Sequence, residues 1–249
     1  MGPALWRRAV GEGLGTGLLV TVVVGSGVMA SRLSDDVGLQ LLANSTTTAL
    51  GLAVLILMFG PASGAHFNPV VSFADWWLGR RSGRGLRLGE VGVYAVAQVF
   101  GGIGGAILAN LMFGLPAVTW SQHRRGDPGV WLGEVVATMG LILLIFALVR
   151  TGRTSYVAAG VGAYIGAAYW FTSSTSFANP AVTVGRAFSD TFAGIAPVSV
   201  PGFVIAQVLG MVVGIVVVLV LYPHAGPSAT DATVPAPSGS LVKGRLRRA

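Results

Sequence analysis

The chain has 249 residues, 53% of them hydrophobic and only 10% charged, with a mean hydropathy of +0.74. A soluble globular chain is about a quarter charged, so most of this surface is expected to face lipid. The absence of cysteine excludes disulfides and thiolate-ligated metals, and the net charge of +7 sits in short arginine runs between apolar stretches, the pattern of a membrane orientation signal and not of a nucleic-acid surface.

Six segments approach the roughly 20 apolar residues that cross a bilayer. They are Val10–Ala30, Leu39–Phe59, Val91–Phe113, Val130–Val149, Tyr156–Phe171 and Phe203–Tyr222. The first follows Trp6-Arg7-Arg8, as a signal peptide would, but Glu12 lies inside it, where an ionisable group needs a partner. With six crossings, Arg7, Arg8, Arg80, Arg81, Arg84, Arg87, Arg150, Arg153, Lys243, Arg245, Arg247 and Arg248 all fall on one side. Arg32, Arg124 and Arg125 fall on the other, so both termini are expected in the cytoplasm and the protein in the plasma membrane. One integral-membrane domain is expected over residues 1–224. Residues 225–249, rich in Pro, Ser, Ala and Thr and basic at the end, read as a disordered tail, either touching anionic lipid or simply solubilising.

The two halves, about 8–113 and 129–223, repeat one another. Each opens with Glu followed four residues later by Thr: Glu12 and Thr16, Glu134 and Thr138. Each has an Asn-Pro box after its second span, His66-Phe67-Asn68-Pro69-Val70 and Phe177-Ala178-Asn179-Pro180-Ala181. Each third span carries Ala-Gln and a spaced glycine pair: Ala97-Gln98 with Gly101 and Gly105, Ala206-Gln207 with Gly210 and Gly214. Three spans per half is odd, so the halves are inverted in the membrane and a site is expected at the midplane where they meet.

About ten apolar residues follow each box, half a membrane thickness. Asn is a favoured N-cap and Pro suits the first helical position, so both boxes predict half-helices. Irregular backbone at membrane depth is tolerated only inside protein or along a watery cavity, so two such segments entering from opposite sides imply a pore. The half-helix dipoles would disfavour cations at its centre, and each Asn amide could donate to a passing oxygen. The fold expected is an all-α membrane protein of six transmembrane helices plus two re-entrant half-helices.

On these motifs the chain resembles the major intrinsic protein family, the aquaporins and glycerol facilitators, over about residues 8–223. The resemblance implies a homotetramer with a pore in each subunit, passing small neutral solutes through the lipid bilayer. It implies that Glu12 and Glu134 brace the re-entrant loops and that His66 is a loop anchor. Taken on residue type alone, the two glutamates are also candidate proton-relay groups and His66 a pH sensor.

Two departures from the family pattern matter. The first box ends in Val70 where Ala is usual. Water channels and glycerol facilitators place Arg three residues after the second Asn; here that position is Val182, and Arg186 lies one turn further, facing an adjacent helix or the outer mouth. Counting back from the boxes, the resemblance assigns the rest of the filter to Thr48, Ala167 (with Gly166 close) and Ser176. These are small residues, so a pore wider than a water-only channel is expected. The stretch Ala168–Val182 resembles a bacterial branch associated with arsenic resistance, which implies trivalent arsenic as neutral As(OH)3 or methylated forms beside glycerol-like solutes and water. The plainer reading is a broad channel with no dedicated metalloid role, or an ordinary water-selective one.

No cofactor or metal is expected. The run Gly101-Gly102-Ile103-Gly104-Gly105 lacks the Lys-Ser or Lys-Thr of a phosphate loop, and His66, His123 and His224 have no ligand spacing. Trp76-Trp77 fits an interfacial anchor. Two rivals to a passive channel are an intramembrane acid–base enzyme using Glu12, Glu134 and His66, and a coupled transporter, which also uses inverted repeats. No nucleophile–base motif supports the enzyme.

Overall fold

A computed structural model describes residues 3–80, 82–83 and 85–223. Arg81, Arg84, His224 and the expected tail at 225–249 with its basic end lie outside the described residues. Eight α-helices follow in order: α1 Leu5–Leu33, α2 Val37–Ser63, α3 Pro69–Gly79, α4 Leu88–Met112, α5 Pro128–Arg150, α6 Val157–Phe171, α7 Pro180–Arg186 and α8 Val200–Leu221. Six are the expected spans, and α3 and α7 are the two half-helices. Five of the spans are long and apolar enough to cross a membrane on their own. The sixth, α6, has 15 residues and rises only about 22 Å. A 3-10 turn at Thr154–Tyr156 leads into it. Most spans run past their apolar limits: α1 begins at Leu5 because Arg8 finds partners outside the apolar zone, donating to Glu90 at 2.9 Å and to the Tyr94 hydroxyl at 2.9 Å.

The halves correspond helix for helix, α1 to α5, α2 to α6, α3 to α7 and α4 to α8. Within each half the first and third spans pack together, α1 on α4 and α5 on α8, and α2 meets α6 across the repeat boundary. Each half-helix packs on both third spans, its own and that of the other half, which ties the repeats into one body.

The glycines explain how close these pairs come. A Cβ on Gly105 would lie 2.0 Å from the Gly17 carbonyl oxygen, and one on Gly101 2.1 Å from that of Gly13. Only glycine on α4 lets the α1 backbone touch it, the small-residue packing that replaces hydrophobic drive in lipid. Gly210 meets the Val135 carbonyl of α5 in the same way, at 2.5 Å. Gly104, by contrast, has nothing within 4 Å. Gly105→Ala should therefore lower stability by about 1–3 kcal/mol, the range for overpacking, while Gly104→Ala changes little. Thermal unfolding of the detergent-purified variants checks the pair; equal melting temperatures would refute the close contact.

The burial pattern is that of a membrane protein with a wet centre. Leu14, Leu57, Phe100, Val216 and Val220 are exposed on the outside, while Glu12, Asn44, Gln98, Asn110, Glu134, Thr183, Arg186 and Gln207 are buried within. A core so polar inside an apolar exterior must satisfy its groups internally.

Candidate functional site

The centre is built by the two boxes. Asn68 and Asn179 each cap a half-helix: the Asn68 Oδ1 accepts from the Val70 N–H at 3.1 Å, and the Asn179 Oδ1 from Ala181 at 2.9 Å and Val182 at 3.2 Å. Pro69 and Pro180 take the first helical position, where their missing N–H leaves no gap. The amides then cross over. Asn68 Nδ2 donates to the Ala178 carbonyl at 2.7 Å, and Asn179 Nδ2 donates to the Phe67 carbonyl at 2.7 Å. Each acceptor is the residue before the opposite asparagine. One amide hydrogen per Asn is thus committed to joining the loops, and one is left for the cavity both residues line.

The loops that deliver the boxes are strained alike. Phe67 and Ala178, one before each Asn, have φ of 51° and 48°; Ala65 and Ser176, three before, have 50° and 48°. Such left-handed residues cost about 1–3 kcal/mol each unless the surroundings hold them. The glutamates supply that hold. Glu12 Oε1 accepts from the Ser63 hydroxyl (2.7 Å) and the His66 N–H (3.0 Å), and Oε2 from the Phe67 N–H (2.6 Å) and Gln98 Nε2 (2.8 Å). Glu134 Oε1 accepts from the Phe177 N–H at 2.8 Å, and Oε2 from the Ala178 N–H at 2.9 Å and Gln207 Nε2 at 2.6 Å. Both carboxylates are fully buried. Each glutamine also reaches the residue four past its own box asparagine, Gln98 to Ser72 at 3.2 Å and Gln207 to Thr183 at 2.8 Å. Sequence reasoning gave Gln98 and Gln207 no role, although their Ala-Gln repeat was visible. His66 Nδ1 lies 3.1 Å from the Ser72 hydroxyl, its ring stacks edgewise on Tyr94, and Tyr94 in turn donates to the Ser63 carbonyl at 2.6 Å.

A cavity of about 70 Å³ runs past both boxes, room for a short file of water-sized molecules. Its aliphatic wall comes from helical stripes spaced by four: Thr48, Leu52 and Ile56 on α2, and Val157, Val161, Ile165 and Tyr169 on α6. Leu19 and Val23 on α1 and their repeat counterparts Leu141 and Ile145 on α5 complete it. The loops at residues 64–68 and 176–179 supply the rest of the lining apart from Val71, Val182 and Arg186. His66 Nε2 and Ser176 Oγ are buried atoms of lining residues and have no hydrogen-bond partner among the described residues.

The four expected filter positions fare differently. Thr48, Ser176 and Val182 line the cavity; Ala167 does not. Ala167 is on the exposed side of α6, and Gly166 packs against Ala49 of α2. The α6 residue beside Thr48 is Tyr169, whose hydroxyl lies 3.3 Å from Thr48 Oγ1. Counting back from the second box crossed the non-helical stretch from Thr172 to Ala178, where helical phase is lost, and two residues of error turn a helix face by about 200°. An aromatic hydroxyl therefore stands where a methyl was expected. Val70 and Ala181 are buried behind the boxes. Arg186 is 2% exposed, lies against the Phe177 ring and lines the cavity at its outer end, since positions 182 and 186 share a face of α7.

Two half-helices capped by cross-bonded asparagines, meeting at a cavity inside an inverted repeat of spanning helices, define a multi-pass membrane channel. The chain belongs to the major intrinsic protein family: the profile described as "Major intrinsic protein" matches residues 2–172. It is 49% identical over 223 residues to the aquaglyceroporin AqpS of Rhizobium meliloti, covering 90% of this chain and 93% of the relative. It is 30% identical over 176 residues to the propanediol uptake facilitator PduF of Citrobacter freundii, covering 61% and 63%. The X-ray structure of the aquaglyceroporin from Plasmodium falciparum shares the fold, with a TM-score of 0.67 over 86% of this chain and 96% of that one at 21% identity.

Proposed function

We propose that the protein is a passive, bidirectional plasma-membrane channel for small uncharged solutes: glycerol-like polyols and trivalent arsenic as As(OH)3 or its methylated forms, with water. The observation that carries this reading is Val182. Where water channels and glycerol facilitators hold an arginine, a short aliphatic side chain lines the cavity, which the Thr48–Tyr169 pair and Ser176, with its unpartnered hydroxyl, also line. That combination offers an apolar wall to a carbon or arsenic centre and hydrogen-bonding partners to its hydroxyls. The names of the relatives, an aquaglyceroporin and a propanediol facilitator, support a solute range beyond water. In this reading Thr48, Tyr169, Ser176 and Val182 set selectivity. The Asn-Pro boxes Asn68-Pro69-Val70 and Asn179-Pro180-Ala181 orient solute at the midplane, and Glu12, Glu134 and His66 hold the loops. No chemistry is performed.

The positive-inside bias puts both termini in the cytoplasm. Residues 1–224 form the channel domain, and the apolar exterior serves both lipid and the contacts of a homotetramer. Stopped-flow swelling of proteoliposomes with water, glycerol, urea and arsenite side by side tests the permeant. Glycerol and arsenite should enter well above empty-liposome rates, downhill and with no response to a proton or sodium gradient. High water flux without solute flux would overturn the reading in favour of a water-selective pore, and gradient dependence would favour a coupled transporter.

A further inference from the structure

Arg186 is a buried cation with too little anion around it. Burying a charge costs several kcal/mol unless it is paired. Among the described residues, the one ion pair within 4 Å joins Arg8 to Glu90, at the other end of the protein. Arg186 has its Nε on the Ala193 carbonyl and its guanidinium 3.4 Å from the centre of the Phe177 ring. A second guanidinium, that of Arg125 from the loop before α5, lies 5.2 Å from the centre of the same ring, its Nε donating to the Gly194 carbonyl at 3.1 Å. Burial holds Arg125 below its ordinary value. The carboxylate that acts electrostatically on both is Glu134, and its oxygens are already taken by Phe177, Ala178 and Gln207. Two positive charges therefore face one committed negative charge.

The space Arg186 faces is part of the pore, and Arg125 adjoins it through the shared Phe177 ring. Arg186, Phe177 and Ser176 all line the cavity, and Ser176 Oγ is a buried hydroxyl with no partner among the described residues. Guanidinium groups present paired N–H donors that match two oxygens on one centre. We infer that Arg186 and Arg125, with the Ser176 hydroxyl, form an oxyanion subsite at the end of the pore remote from the described termini, taking a small monocarboxylate or an oxoacid of similar size and single charge. The site restores, one helical turn outward, the cation missing at position 182. It repels metal cations at the mouth and holds anions there without opening the midplane to them. It sits in the pore proposed above, but binding there does not require that solute pass.

Saturation-transfer NMR on the full-length, detergent-purified protein tests this with formate, whose single proton reports contact. Formate should show transfer, with acetate competing and the isosteric neutral acetamide failing to compete. The signal should fall at least fivefold in Arg125→Gln and in Arg186→Gln. Arg125 lies in a partly exposed loop, so its variant keeps the test decisive if Arg186→Gln does not fold. An equal signal in wild type and Arg125→Gln, or equal competition by acetamide, would overturn the subsite. Absence of glycerol flux in liposomes would strike the channel reading alone, because formate binding is read independently.

Discussion

Glu134→Gln and Glu12→Gln should each cost about 3 kcal/mol or more and deplete folded protein. The reason lies in how the donors are divided. In each half, successive backbone N–H groups of the re-entrant loop go to different carboxylate oxygens: Phe177 and Ala178 to Oε1 and Oε2 of Glu134, His66 and Phe67 to Oε1 and Oε2 of Glu12. An amide has one oxygen. Whichever way it turns, its NH2 meets a backbone N–H, and that donor is left buried and unpaired, a loss of about 1–3 kcal/mol. The remaining bonds lose their charge assistance, worth about 1.5–3 kcal/mol for a bond to a charged group against roughly 1 for a neutral one. Gln98 and Gln207 each have a free buried Oε1 and can flip to meet the new amide, but only by giving up Ser72 or Thr183. The strained φ at Phe67 and Ala178 would then lose what holds it. Yield of monodisperse protein and its melting temperature in detergent read the effect. A catalytic or proton-relay role for the glutamates predicts well-folded variants of normal melting temperature that fail only in function, and that outcome would sink the bracing argument.

Most of this architecture was legible because the repeat writes it twice. The Glu pair, the Asn-Pro boxes, the Ala-Gln pairs and the spaced glycines each recur in order, and each proves to be a contact: Glu12 on the loop, Asn68 across to Ala178, Gln98 on Glu12, Gly105 on Gly17. What repeats can be located by aligning the chain with itself. The filter does not repeat, and there the sequence was less informative. Tyr169 enters the cavity through the phase of α6, which is fixed by its packing on α2 and not by distance along the chain from Asn179. For Arg186 the sequence left two placements, an adjacent helix or the outer mouth, and helix periodicity favours the second: residues four apart share a helix face, so a lining Val182 puts position 186 on the same wall. The pairing of Arg125 with Phe177 joins residues 52 positions apart through an irregular loop, and no local pattern announces it.

Val182→Arg should lower glycerol and arsenite entry at least tenfold while reducing water entry less. Val182 lines a cavity of only about 70 Å³ together with Thr48, Tyr169 and Ser176, so four further heavy atoms on its wall remove much of the free space. The loss should grow with solute size. The new guanidinium would also stand one turn from Arg186 on the same face, and like charges at that spacing repel. Two effects are thus expected, a narrower pore and a less stable α7, and they can be separated. Val182→Gln adds two heavy atoms without charge, so it should reproduce part of the solute block with a smaller drop in melting temperature. Permeability ratios of glycerol to water, measured by stopped-flow on the same liposomes, cancel differences in the amount of protein inserted. If that ratio is unchanged in Val182→Arg, residue 182 does not set the solute range, and the constriction must be sought at the hydrogen-bonded Thr48–Tyr169 pair instead.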